Sequence, residues 1–126
     1  MSARVNSGAA DAERRFEEVV AAFAADRRLA AIASALRSER ASGRRKAFGS
    51  GALKVNGKIF AMVARERLVV KLPKERVSAM VESGDGQFFD PGHGRLMKQW
   101  VVVLGESCSW IDLAKEAHDF VRGVGK

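Results

Sequence analysis

The residue pattern predicts an α+β fold: a single domain with an antiparallel sheet and helices at the N-terminus, in the middle and at the C-terminus. Three observations carry this. Apolar residues recur at helical spacing on either side of residue 26, a period of two takes over from Arg45 to Leu72, and a helical stripe returns after Ser109. The resulting order is helix, helix, three-strand meander, helix, strand or strands, helix. It lacks the alternating strand-helix crossovers of a parallel sheet.

Residues 1–10, small and polar with Gly8, read as a loose leader, and 11–126 as one domain. After Asp11, Phe16, Val19, Val20 and Phe23 share a helical face, with Glu13, Glu17 and Glu18 toward the end of the dipole that favours acids. Leu29, Ile32, Ala33 and Leu36 form a second helical set. At about 100° per residue the two faces point roughly 140° apart, which predicts a break near Ala25-Asp26 with Asp26 as a cap. Ser38 to Gly43 reads as a loop.

Leu53-Lys54-Val55-Asn56-Gly57-Lys58-Ile59-Phe60 is a hairpin signal, because Asn56 and Gly57 accept the positive φ of a type I′ turn. That register sets Val55 against Lys58 and Leu53 against Phe60. A third strand, Arg67 to Leu72, follows a tight connection at Arg65-Glu66. Strand alternation then puts Ile59, Ala61, Val63, Leu68, Val70 and Leu72 on one face, and Phe60, Met62 and Val69 on the other. Both faces are apolar. The sheet therefore has helices on both sides or uses one face to meet another chain.

Pro73 suits the start of a helix running to about Ser83, with Val77, Met80 and Val81 inward and Gly84 as its stop. Phe88-Phe89 pairs as a short strand inside a turn-rich segment holding Pro91, Gly92 and Gly94, and Met97 to Leu104 is the last strand. Ser109 and Asp112 stand at capping distance before the stripe Trp110, Leu113, Ala114, Ala117, Phe120, Val121 and Val124.

The chain has 126 residues, 47% of them hydrophobic, which suffices for one core. That composition excludes a disordered chain, and no apolar run reaches the roughly 18 residues of a membrane span. The lack of a basic-then-apolar leader makes the cytoplasm the expected location, and the lone Cys108 agrees with a reducing compartment. The net charge is +7, and residues 26–76 supply it, with fourteen Lys or Arg against Asp26, Glu39, Glu66 and Glu75. Such a block is either a polyanion footprint or a solvated face whose long stems cover apolar surface. The second reading has the larger base rate.

Chemistry is thinly represented. Gly49-Ser50-Gly51 precedes a strand rather than a helix, so Gly49 and Gly51 read as a structural turn and not a phosphate cradle. His93, between two glycines, reads as a turn residue, and His118 as a partly exposed helix residue. With Cys108 they make a poor zinc set, which needs paired ligands at close spacing. Ser50, Ser107 and Ser109 have no nucleophile context. No catalytic residue, metal site or cofactor is expected.

The run Lys46-Ala47-Phe48-Gly49-Ser50-Gly51-Ala52-Leu53-Lys54-Val55-Asn56-Gly57-Lys58-Ile59-Phe60-Ala61-Met62 is followed by Leu68-Val69-Val70-Lys71-Leu72 and then by Phe89-Asp90-Pro91-Gly92-His93-Gly94-Arg95-Leu96-Met97-Lys98-Gln99-Trp100. Together these resemble the TfoX N-terminal domain family of bacterial proteins, over roughly residues 44–122. The resemblance implies a small α+β fold of the kind seen in YjbR-like proteins and secretion chaperones, often dimeric, without an accepted catalytic residue. Two features depart from the pattern: Ala47 stands where members commonly have Met, and the helical stretch Arg27 to Arg40 is longer than the usual connection. Competence regulators of the family carry a further C-terminal domain for which 126 residues leave no room, so a competence role is not expected here.

Two functional expectations follow. The first is a non-catalytic interaction or regulatory module, a homodimer or a partner of another protein, with Phe60, Met62 and Trp100 as interface anchors. The second is sequence-tolerant DNA or RNA binding through Arg44, Arg45, Lys46, Lys54, Lys58, Arg65, Arg67 and Lys71. It is not favoured, because no aromatic interleaves those bases and the predicted meander spreads them over both ends and both faces. An enzyme is a distant third, and no membrane partner is expected.

Overall fold

The computed structural model describes residues 7–41, 52–64, 66–90, 97–105 and 109–123. Helix α1 spans Ser7–Ala25 and α2 spans Ala30–Ala41. The break between them falls where the two apolar faces demanded it. Asp26 closes the turn: its carboxylate accepts the Arg28 N–H at 2.9 Å and its carbonyl accepts the Leu29 N–H at 2.9 Å. Residues 7–10, expected in the leader, already belong to α1, so Glu13, Glu17 and Glu18 lie beyond the first turn, where the dipole acts most strongly. Ser38 to Ala41, expected as loop, continue α2 because Leu36 still anchors that turn in the core.

Five strands form one antiparallel sheet: β1 (Ala52–Val55), β2 (Lys58–Ala64), β3 (Arg67–Lys71), β4 (Gly86–Phe89) and β5 (Met97–Val103), in the order β1-β2-β3-β5-β4. The first hairpin turns on Asn56 and Gly57, at φ 54° and 79°, as the dipeptide predicts. Helix α3 (Lys74–Ser83) follows Pro73 and ends at Gly84, where the Asp85 N–H returns to the Met80 carbonyl at 2.9 Å. Helix α4 spans Trp110–Gly123, and the Ser109 hydroxyl caps it by accepting the Asp112 N–H at 3.1 Å.

The hairpin register departs from strict alternation. Val55 pairs with Lys58 as expected, but Leu53 pairs with Ala61 and Lys54 with Ile59, leaving Phe60 as an extra residue. Such a bulge turns two successive side chains to one side. Phe60 and Ala61 both enter the core beneath the helices, and Ile59 moves to the opposite face. The expectation that Phe60 shares a face with Met62 and Val69 is corrected accordingly.

Among the described residues, all four helices pack on the same side of the sheet, and the other side is helix-free. Phe16, Val19, Val20 and Phe23 of α1, Leu29 just before α2, Ala33 and Leu36 of α2, Val77 and Met80 of α3, and Trp110, Leu113, Ala114, Ala117 and Val121 of α4 close over Leu53, Phe60, Ala61, Leu68, Val70, Val101 and Val103, while Val124 lies outside the described residues. At the α3 contact, a Cβ on Gly86 would come within 2.5 Å of Val101 Cγ2 and 3.2 Å of Met80 Cβ. Only glycine lets β4 lie this close. The other side of the sheet carries a separate cluster of strand residues, Ala52, Met62, Val69 and Phe89, with Ile59, Ala64, Trp100 and Val102 packed around it. Among the described residues, no helix is long and apolar enough to cross a membrane.

Candidate sheet-face site

The five strands contain Lys54, Lys58, Arg67, Lys71 and Lys98 and no Asp or Glu, a net +5. The four helices hold eight bases against ten acids, a net −2. Of the two kinds of element, the strands alone carry an excess of bases, and the connections and termini hold a further net +4. The pleat then sorts the strand bases between faces. Lys58 pairs with Val55, which packs on the helical side, so Lys58 rises on that side. Lys54 pairs with Ile59, and Lys71 pairs with Trp100, so both lysines stand on the helix-free face.

These residues fall at one end of the sheet. β3 runs antiparallel to β2, so its last residue, Lys71, lies toward the hairpin end that Lys54 and Ile59 flank. The Lys71 ammonium stands 5.9 Å from the centroid of the half-buried Trp100 ring, near the outer limit of cation–π attraction. Lys98, exposed, precedes Trp100 by two positions on β5. At about 4.8 Å per strand, Lys54 and Trp100 lie roughly 14 Å apart, so the row crosses the strands. Arg67 stands four residues up β3, roughly 13 Å from Lys71, and lines a groove beside Asp11 and Glu66. Asp90, half-buried, directly follows β4.

Of the expected anchors, Met62 and Trp100 belong to this face. Phe60 is corrected: it is fully buried on the helical side, stacked on Phe23 with centroids 5.9 Å apart, and is not available to a partner. Arg44, Arg45, Lys46, Arg65, Gly49, Gly51, Pro91, Gly92 and Gly94 lie outside the described residues, as do His93, Cys108, Ser50 and Ser107. His118, expected to be partly exposed, is only 6% exposed; its ring sits edge-on to Phe23 and Phe60, and Nδ1 contacts the Asp119 carboxylate at 3.0 Å. The bulge that turned Phe60 inward also supplied the ring that covers His118.

Other polar features hold the fold together. A groove of about 180 Å³ between α3 and α4 contains Asp85, Asp112 and the Arg76–Glu116 pair, whose nitrogens donate to the carboxylate at 2.9 and 3.3 Å. It is smaller than the roughly 300 Å³ at which small-molecule pockets begin, and its Ser109 is committed to the α4 cap. Among the described residues, no group of three or more His, Cys, Asp or Glu side chains is placed to hold a metal.

The adjacency of Lys71 and Trp100 escapes sequence reading because 29 positions separate them and the β3–β5 pairing skips β4. The signal that was legible is the absence of acids from every predicted strand. Comparison of the chain with protein-family models, curated proteins and solved structures finds no match.

Proposed function

We propose that this chain is a non-catalytic interaction module of the TfoX N-terminal kind, acting as a homodimer in a bacterial cytoplasm, with the helix-free side of its sheet as the working surface. The observation that carries this reading is the one-sided architecture. All four helices are spent on one core, and the other face keeps its own apolar cluster with Trp100 beside it. Among the described residues, Ser109 caps α4, Arg76 pairs with Glu116 and His118 contacts Asp119, so these polar side chains are engaged in structure.

Charge and burial decide how two copies would meet. Face-to-face pairing opposes like-charged surfaces and gains little, since Met62 and Val69 are already 4% and 0% exposed within one chain. The sheet edge suits a second copy better. β4 ends the strand order, and its Gly-Gln-Phe-Phe carries none of the charges that usually blunt an edge strand. Pairing β4 with its symmetry mate would extend the helix-free face across both copies. Light scattering across micromolar concentrations tests this: a dimer mass is expected, with Gln87→Lys raising the dissociation constant several-fold. A strictly monomeric mass sinks the homodimer.

A further inference from the structure

We infer that the helix-free face binds single-stranded nucleic acid, its phosphates held by Lys54 and Lys71 and a base stacked on Trp100. This rests on the reading of that face as the working surface and adds the partner to it. The first argument is charge complementarity: the strands carry five bases and no acid, and Lys54 and Lys71 stand on the face that holds Trp100, which suits a polyanion. The second is the aromatic. Trp100 is half-buried and so keeps some exposed surface, and Lys71 stands over its ring at 5.9 Å. A flexible lysine stem lets that ammonium leave the ring for a phosphate as a base takes its place.

Shape selects the single strand. A duplex groove is read by a protruding helix or ribbon, whereas Lys54, Lys71 and Trp100 form a row roughly 14 Å long across the strands of a sheet. Single strands bind where cations follow the backbone and an aromatic offers a stacking surface, and any base supplies the π-face. An acidic protein segment would satisfy the lysines but gain nothing comparable from Trp100.

The test is fluorescence anisotropy of a labelled twenty-residue oligothymidine against the full chain, titrated at several salt concentrations. Two phosphate contacts on a single strand give a log–log salt slope of about −1.4, and so roughly seven-fold weaker binding at 200 mM than at 50 mM salt. Lys54→Ala or Lys71→Ala alone should reduce the slope to about −0.7, and Trp100→Leu should weaken binding roughly five-fold or more. Lys58→Ala, on the helical side, should change neither. The lysine variants alter exposed or half-exposed stems, so they remain decisive if Trp100→Leu proves unstable.

No complex at 50 mM salt overturns the inference and leaves the dimer, read by light scattering, standing. Displacement by polyglutamate as effective as by unlabelled oligothymidine makes the partner an acidic protein and overturns it too. Binding that ignores the Lys54, Lys71 and Trp100 substitutions overturns both the inference and the working-surface reading.

Discussion

The two sides of the sheet differ in what holds them and in what they present. On one side, four helices close over a continuous core in which Phe16, Phe23, Phe60 and Leu72 have no exposed surface. On the other, Met62, Val69 and their neighbours form a smaller cluster made of strand residues, and lysines stand at its end. Charge divides by element rather than by face, +5 in the strands and −2 in the helices, with Lys54 and Lys71 on the helix-free face and Lys58 on the helical one. Stability therefore resides mainly in the helical side.

The sharpest way to break this contrast is to truncate adjacent residues that the bulge sends to opposite sides. Phe60→Ala should cost about 3–5 kcal/mol, since it empties a fully buried ring site between Phe23 and His118. Ile59→Ala, half-buried on the other face, should cost about a third of that. Urea denaturation of both variants compares them, and equal losses would refute the division of stability.

A smaller effect tests how tightly the helical side is closed. Gly86→Ala forces a Cβ against Val101 and Met80, and overpacking of this kind costs about 1–3 kcal/mol. Its thermal midpoint should fall by several degrees, and an unchanged midpoint would show that α3 yields freely. The smallest effect concerns the polar rim. Arg76 and Glu116 are bonded but have side chains 45% and 41% exposed, so a double-mutant cycle should return only about 0.2–1 kcal/mol. A larger coupling would make that groove a rigid feature rather than a solvated pair.

Much of this architecture was legible in local chemistry. The incompatible faces of Phe16–Phe23 and Leu29–Leu36 require the break at Asp26, Asn56-Gly57 turns the hairpin, and Ser109 caps α4, each because a few neighbouring residues suffice to decide it. The facing of Phe60 was not legible. A bulge trades a regular ladder for better packing, and the packing partners Phe23 and His118 lie 37 and 58 residues away along the chain. The same limit hid the site. Nothing near Lys71 announces an aromatic, and only the β3–β5 pairing sets Trp100 beside it.

By itself, then, the sequence determined the α+β class, the order of the elements, the caps and turns, and the excess of positive charge in the strand-forming segments, because these depend on composition and on contacts within a turn or two. Tertiary structure decided which face the helices cover, which way Phe60 and Ile59 turn, and which lysines stand together with Trp100. Those choices depend on the pairing of distant strands and on the closure of one core, and no local pattern encodes either.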